Sequence, residues 1–331
     1  MSTILADGQP AKALKPLSRK RGHINKTPTL IAKIEAAALE INNNPPDKAN
    51  NHSAIGFITP LQAQFGLPHQ HVPGNEWERV NGNTKFRIVS GSGAGIPTGS
   101  TPRCGLAWVA TWQVKHPLET CIPLGKNLSS WMRDEMQLQV TGGKNGTITK
   151  LKQELFKLFS ASISVMKTDP EGRGISYTST GSLAKRMELW DAATHPSQDA
   201  LFASFIVLNT DFRELLLEHP IPVDLRAFPA LRKSPLAIDY YCWLAYRFSY
   251  LRTPTLVTWE QLHAQFGSNY DWSDKRGRWK FRTESAAALT GRVLKVYPQA
   301  RVQIMKDGTG LMLHPSLTPV PMTTRKLFLP M

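Results

Sequence analysis

The sequence predicts an α+β fold of two like units in tandem, behind a flexible basic N-terminal tail. Three observations carry this. From Ser234 to Pro315 a helix, a short helix, a long basic helix and a hairpin pattern follow one another; a looser copy of that order begins at Pro102; and the first 25 residues mix Lys and Arg with Gly and Pro. The repeated order is the signature of a winged helix, a helix-turn-helix with a β-hairpin wing, so the predicted fold is a pair of tandem winged-helix domains. The expected organisation is a basic tail, amphipathic helix and loop-rich segment over 1–94, a first winged helix over 95–220, a second over 221–318, and a tail over 319–331.

In the tail, Lys12, Lys15, Arg19, Lys20 and Arg21 among Gly and Pro argue for mobility. Thr27-Pro28 opens a helix with Leu30, Ile34, Ala37, Ala38 and Ile41 on one face, ended by Asn42-Asn43-Asn44-Pro45-Pro46. Such a helix is marginal alone and either packs on the body or waits for a partner. Residues 47–94 are rich in Asn, His, Gly and Pro and predict loop with short pieces of structure.

The first unit predicts a helix carrying Leu106, Val109 and Trp112, a strand at Thr120-Cys121-Ile122, a brief helix over 129–136 and a Gly142–Gly146 loop. A long helix from Thr147 then sets Leu151, Leu155, Leu158 and Phe159 opposite Lys150, Lys152 and Lys157. Ile163 and Val165 alternate as a strand, Asp169-Pro170-Glu171-Gly172 turns, and Ile175 and Tyr177 return. Strand residues at Phe205 and Val207 and a helix over 211–218 complete the unit. His219–Asp224, with two prolines, is the expected boundary.

The second unit starts at Ser234-Pro235, an N-cap followed by a proline suited to the first helical position. Ala237, Tyr241, Leu244, Phe248 and Leu251 then recur at helical spacing. Leu256 and Val257 form a short strand before Thr258-Trp259-Glu260-Gln261, a capping box. Leu262 and Phe266 face inward and Gly267 stops the helix. The third helix runs from about Arg276 to Val296, with Phe281, Ala288, Val293 and Val296 for the core and Pro298 forcing the end. Val302 and Ile304, the Asp307-Gly308 turn, and Leu311 and Leu313 make the wing.

With a formal charge of +15 over 331 residues, 41% hydrophobic content and 9 Trp, the chain is a packed protein with a polyanionic partner, for which nucleic acid is the leading candidate. Lys275, Arg276, Arg278, Lys280, Arg282 and Thr283 occupy the start of the third helix, where a helix-turn-helix brings guanidinium groups to phosphates and guanine edges. Arg301 and Lys306 on the wing, and Lys144, Lys150, Lys152 and Lys157 in the first unit, complete the expected contacts to double-stranded DNA. Tandem modules would cover successive major grooves and suit repeated sites.

Catalysis, cofactor and metal are not expected. Cys104, Cys121 and Cys242 lie far apart in apolar stretches without a Cys-x-x-Cys pair and predict small core residues in a reducing cytoplasm. His69-Gln70-His71 is the nearest approach to the metal pair of a rolling-circle nickase, but its middle residue is polar and its segment loop-rich. Tyr240-Tyr241 falls in a helix with Tyr241 in the core. Gly91–Ser100 lacks the lysine of a phosphate loop. Asp134-Glu135 and Asp191 lack acid-base partners, and His195, His219 and His314 adjoin prolines. Neither a transmembrane span nor a signal peptide is expected.

The chain resembles the plasmid-encoded RepA family of replication initiators. The resemblance lies in Gly95-Ile96-Pro97-Thr98-Gly99-Ser100 with Pro102-Arg103, in Gly142-Gly143 through Phe159-Ser160-Ala161-Ser162-Ile163-Ser164, in Ile221–Arg226, in Ser234–Asp239, in Tyr246-Arg247 through Tyr250-Leu251, in Gln265-Phe266-Gly267 and in Tyr297–Ala300. It implies a bacterial cytoplasmic protein that binds directly repeated origin sites (iterons) as a monomer. Such a protein helps open the adjacent duplex and recruits a host replication initiator and helicase. The resemblance also implies a homodimer in equilibrium with the monomer, which represses its own promoter through an inverted repeat. One departure is Gly277 and Gly291 in the recognition helix, each costing about 1 kcal/mol against alanine, which suggests a helix start later than Arg276. A dedicated transcriptional repressor would use the same fold. Direct repeats beside AT-rich DNA near the gene would indicate the initiator, and a lone inverted repeat over a promoter the repressor.

Overall fold

In a computed structural model, which describes residues 29–46, 52–125, 127–190, 203–267 and 270–321, the chain opens with α1 (Leu30–Asn43), β1 (Ile55–Ile58), α2 (Pro60–Phe65) and the hairpin β2 (Glu76–Asn81) and β3 (Thr84–Ser90). There follow α3 (Ser100–Lys115), β4 (Cys121–Pro123), α4 (Leu128–Ser130) running into one π-helical turn at Trp131–Glu135, α5 (Thr147–Ser160), β5 (Ala161–Thr168), β6 (Ile175–Ser182), β7 (Ala184–Glu188), β8 (Phe205–Leu208) and α6 (Thr210–Glu218). The last part holds β9 (Ile221–Asp224), α7 (Ala227–Leu231), α8 (Pro235–Tyr250), β10 (Thr255–Thr258), α9 (Trp259–Phe266), α10 (Lys275–Ala288), a π-helical turn at Leu289–Val293, α11 (Leu294–Val296), β11 (Val302–Ile304) and β12 (Gly310–Leu313). The basic residues Lys12 to Arg21, Thr27-Pro28, Asp191, His195 and residues 322–331 lie outside the described residues.

All strand pairs are antiparallel, in sheets ordered β1-β9, β2-β3-β5-β6, β4-β8-β7 and β10-β12-β11. The α+β class holds. Residues 47–94, expected to be loop with short pieces of structure, supply β1, α2 and the β2-β3 hairpin. Trp77, Phe86 and Ile88 of that hairpin are buried in the first core, where Phe65 stacks on Phe86 at 4.9 Å. Alternation of buried and exposed positions in β2 shows a half-buried strand whose signal was masked by flanking Asn, Gly and Pro. The expected boundary at His219–Asp224 holds β9, every residue of which is buried and which pairs with β1. Gly56 on β1 is required there, since a Cβ would lie 2.3 Å from Leu225.

β4 pairs with β8, while β5 pairs with β3 and β6. β8 therefore lies between β4 and β7, so Phe205 and Val207 are not on a free sheet edge. In the second unit β12 lies between β10 and β11. The helix signals hold at their caps. The Ser234 hydroxyl accepts from the Ala237 amide at 3.2 Å, and Thr258 and Gln261 cap one another, at 2.9 and 3.2 Å.

The helix α8 departs from one buried stripe. Leu236, Ile238, Asp239, Tyr240, Cys242 and Trp243 are buried together with the expected Ala237, Tyr241, Leu244 and Phe248, because α2 and α3 of the N-terminal half cover its other side. Between the two expected fates of α1, it packs on the body. Ile34 and Ile41 enter the second core, Lys295 meets Glu35 at 3.1 Å, and Arg226 reaches Glu40 at 3.4 Å and the Asn44 carbonyl at 2.8 Å. Of the cysteines, Cys242 is buried and Cys104 half-buried, its thiol pushed up to about 12 by burial, whereas Cys121, expected in the core, is exposed. No helix among the described residues is long and apolar enough to cross a membrane.

Candidate nucleic-acid interface

The helix α10 begins at Lys275, not later as its glycines suggested. Asp274 is the N-cap, accepting from the Gly277 amide at 2.9 Å. Gly277 is where the preceding loop crosses the helix, for a Cβ there would lie 1.9 Å from the Asp271 carbonyl oxygen. The Asp271 carboxylate in turn accepts from the Ser273 amide at 2.9 Å and hydroxyl at 2.6 Å, and these bonds hold its pKa below the usual carboxylate range. Gly291 has open space around it within the π-helical turn.

Phe281 fixes the rotation of α10. Its ring is fully buried and meets Trp259, His263, Tyr270 and Trp272 edge-on or tilted at centroid distances of 5.3 to 6.4 Å. His263 stacks on Trp272 at 4.8 Å and its Nε2 lies 2.8 Å from the Tyr270 carbonyl. With Phe281 inward, the basic residues divide. Arg278 turns back and donates to the carbonyls of Trp272 at 2.7 Å and Ser273 at 2.9 Å, so its guanidinium ties down the loop. Arg282 lies over the Trp272 ring at 5.7 Å. Lys275, Arg276, Lys280 and Thr283 are exposed. Lys280 sits 3.9 Å from Glu284, which accepts a short hydrogen bond from the Tyr270 hydroxyl.

The hairpin turn beside this helix is built by Asp307, whose carboxylate accepts from the Thr309 amide at 3.0 Å and hydroxyl at 2.8 Å, and by Gly308 at φ 76°. Arg301 and Lys306 are exposed at opposite ends of β11. In the first unit Lys144 and Lys150 are exposed, whereas Lys152 and Lys157 are half-buried. Lys157 is held by Glu154 at 2.8 Å, and Glu154 also accepts from the Thr98 amide at 2.7 Å. At about 100° per residue, Lys150 and Lys157 share a side of α5 and Lys152 points well away from them. The four lysines do not form one patch.

Sequence reasoning missed the buried ionic cluster that joins the two halves. Arg103 of α3, 1% exposed, donates to both carboxylate oxygens of Asp239 on α8, at 2.7 and 2.8 Å, and to the carbonyls of Gly99 at 2.6 Å, Pro68 at 3.3 Å and Leu67. His69 Nε2 meets Asp239 at 2.8 Å, so this histidine, although in a loop as expected, has a buried side chain partnered by Asp239. Arg79 of β2, its pKa lowered to about 10 by burial, donates to the Gln265 carbonyl of α9. Arg103-Asp239 spans 136 residues and His69-Asp239 spans 170, so no local pattern signals them. Sequence reasoning also missed Trp279, which stands 65% exposed beside Lys280. No group of three His, Cys, Asp or Glu able to hold a metal occurs among the described residues.

The family model described as plasmid encoded RepA protein matches residues 96–261. Among solved structures, the crystal structure of selenomethionine derivatives of domains 2 and 3 of RctB aligns with a TM-score of 0.44 and 13% identity, over 74% of this chain and 87% of that one. No curated protein matches significantly.

Proposed function

Since this chain belongs to the family of plasmid-encoded RepA proteins, we propose that it starts plasmid replication by gripping directly repeated origin DNA, loosening the adjacent duplex and recruiting a host initiator and helicase. No covalent step is catalysed by the chain. The observation that carries the reading is the outward face of α10, where Arg276, Lys280 and Thr283 are exposed together on a helix rotated by buried Phe281. A capped helix start carrying cations is suited to major-groove phosphates and base edges, and the wing adds Arg301 and Lys306 for backbone contact.

The order β10-β12-β11, with α9 and α10 between its first and second strands in sequence, supports a winged helix over 221–318. The series α3, β4, α5, β5, β6 supports a second over 95–220, with β4 transferred to β8. A monomer fits direct repeats. A two-fold dimer through the first unit fits an inverted repeat over the promoter, and β6, the outer strand of its sheet, offers an edge for pairing.

The test uses supercoiled DNA carrying the repeats and their AT-rich neighbour, with magnesium and ATP. The expected result is covalently intact DNA whose AT-rich strand becomes reactive to a single-strand probe, with binding weakened at least about tenfold by Arg276→Ala with Lys280→Ala. Nicked product tied to a tyrosine would replace this reading with rolling-circle initiation. Intact, unreactive DNA, even with host proteins supplied, would leave a repressor.

A further inference from the structure

Trp279 is the large apolar residue on the outward face of α10. Its indole is 65% exposed, and among the described residues it makes no hydrogen bond, ring contact or ion pair. Trp190, also exposed, differs in donating its ring N–H to Glu188 at 3.2 Å. Singly exposed apolar residues are ordinary on protein surfaces, so the reading rests on what surrounds the indole.

Its neighbours identify the contact. At about 100° per residue, Arg276, Trp279, Lys280 and Thr283 fall within an arc of about 100°. Trp279 forms a wall of a shallow groove along the helix that Arg276, Gly277, Lys280 and Thr283 also line, together with two carboxylates, Asp274, which accepts from the Gly277 amide, and Glu284, which accepts from the Tyr270 hydroxyl and lies 3.9 Å from Lys280. Toward the C-terminus the same arc continues with exposed Ala287 and Thr290, whose small side chains let the helix lie deep in a groove. With both carboxylates engaged within the chain, an apolar plate between Arg276 and Lys280 fits an apolar group set in a polyanion. In the major groove of DNA that group is the C5-methyl of thymine, the one apolar feature of a base edge.

We propose that Trp279 reads sequence by packing its indole on a thymine methyl group, while Arg276 and Lys280 hold the flanking phosphates or purine edges. The proposal rests on the DNA-binding reading of α10. It makes Trp279 a specificity residue, and the expected site carries thymine at the position facing the second turn of the helix.

The test starts from a duplex selected by the full chain out of a randomised 30-base-pair pool, in which each thymine is then replaced singly by uracil, which differs only in lacking the methyl. The parent should bind about fourfold more weakly at one or two positions, the worth of one buried methyl group. Trp279→Ala should weaken binding to the thymine duplex on the order of tenfold and bind the thymine and uracil duplexes equally. Trp279→Phe should keep the discrimination and guards against a folding artefact. A Trp279→Ala protein that binds as tightly as the parent, or that still prefers thymine, overturns the proposal and assigns the indole to a protein partner. If Arg276→Ala abolishes binding in that case, the DNA-binding reading survives alone. If the selection enriches no sequence, both readings fall.

Discussion

Arg103, Asp239 and His69 set the behaviour of the molecule at the scale of single residues. The carboxyl of Asp239 is buried, which pushes its pKa up, but the guanidinium of Arg103 and the His69 bond outweigh burial and hold it below 3.8. Removing one partner of a buried pair leaves an uncompensated charge, so Arg103→Met should destabilise the chain by about 3 to 5 kcal/mol in urea unfolding. His69 is lowered from 6.5, first by burial, so folding favours its neutral form. Below pH 6.5 the unfolded chain takes up a proton that the folded chain refuses, and stability must fall with falling pH. Asp239 adds a further loss in the same direction at lower pH. Urea midpoints should decline from about pH 7.5 to about pH 5, and His69→Gln should flatten that decline; an equally steep decline in the variant would remove His69 from this role. None of the three residues is legible as a partner in the sequence. Their neighbours in the chain show an X-Pro loop, a helix start and a helix interior, and the cluster exists only after the halves meet. The capping residues Ser234, Thr258 and Gln261 were legible because each acts within three residues.

At the scale of elements, α10 shows how tertiary contact overrides propensity. By helix propensity, glycine to alanine at Gly277 or Gly291 should each gain up to about 1 kcal/mol. The structure separates them. A Cβ at residue 277 would strike the Asp271 carbonyl, and the loop that positions Arg278 and Trp272 would have to move. Gly277→Ala should therefore lose about 1 to 3 kcal/mol, as overpacked sites do, and weaken DNA binding. Gly291→Ala meets open space and should leave stability unchanged or slightly raised. Thermal melts of the two variants decide this, and equal shifts would mean that the loop yields freely. The helix starts and the hairpins were legible because period, caps and turn residues agreed. The β2-β3 hairpin was not, since Asn, Gly and Pro dominate its surroundings while its burial comes from α2 and β5 far along the chain. The sidedness of α10 was legible only in part. The run of cations was plain, yet the burial of Phe281 decides that Arg276 and Lys280 face outward, that Arg278 does not, and that Trp279 belongs with the first two.

At the scale of the whole molecule, the halves are joined by β1-β9 pairing, by the Arg103-Asp239 cluster and by Arg79 on α9, so α5 and α10 keep a fixed relation. A chain of formal charge +15 held in one geometry should meet DNA as one footprint, and salt dependence then reports on phosphates held by both units. Removing a cation that neutralises one phosphate should reduce the slope of log affinity against log salt by about 0.9. The four lysines of the first unit are not equivalent. Lys144 and Lys150 are exposed, whereas Lys157 already compensates Glu154, which itself holds the Thr98 amide. Replacing Lys144 and Lys150 by alanine should therefore lower the slope magnitude by about 1.8, two phosphates at about 0.9 each. Lys157→Ala should leave the slope unchanged and instead loosen the Gly95–Thr98 turn. Titrations between about 50 and about 300 mM salt on one repeat separate these outcomes. If the double variant keeps the parent slope, the first unit does not touch DNA, and its basic face is free for pairing with a second copy. If Lys157→Ala lowers the slope as much as the exposed pair, the Glu154 bond opens on binding and the footprint wraps further around α5 than the free protein presents.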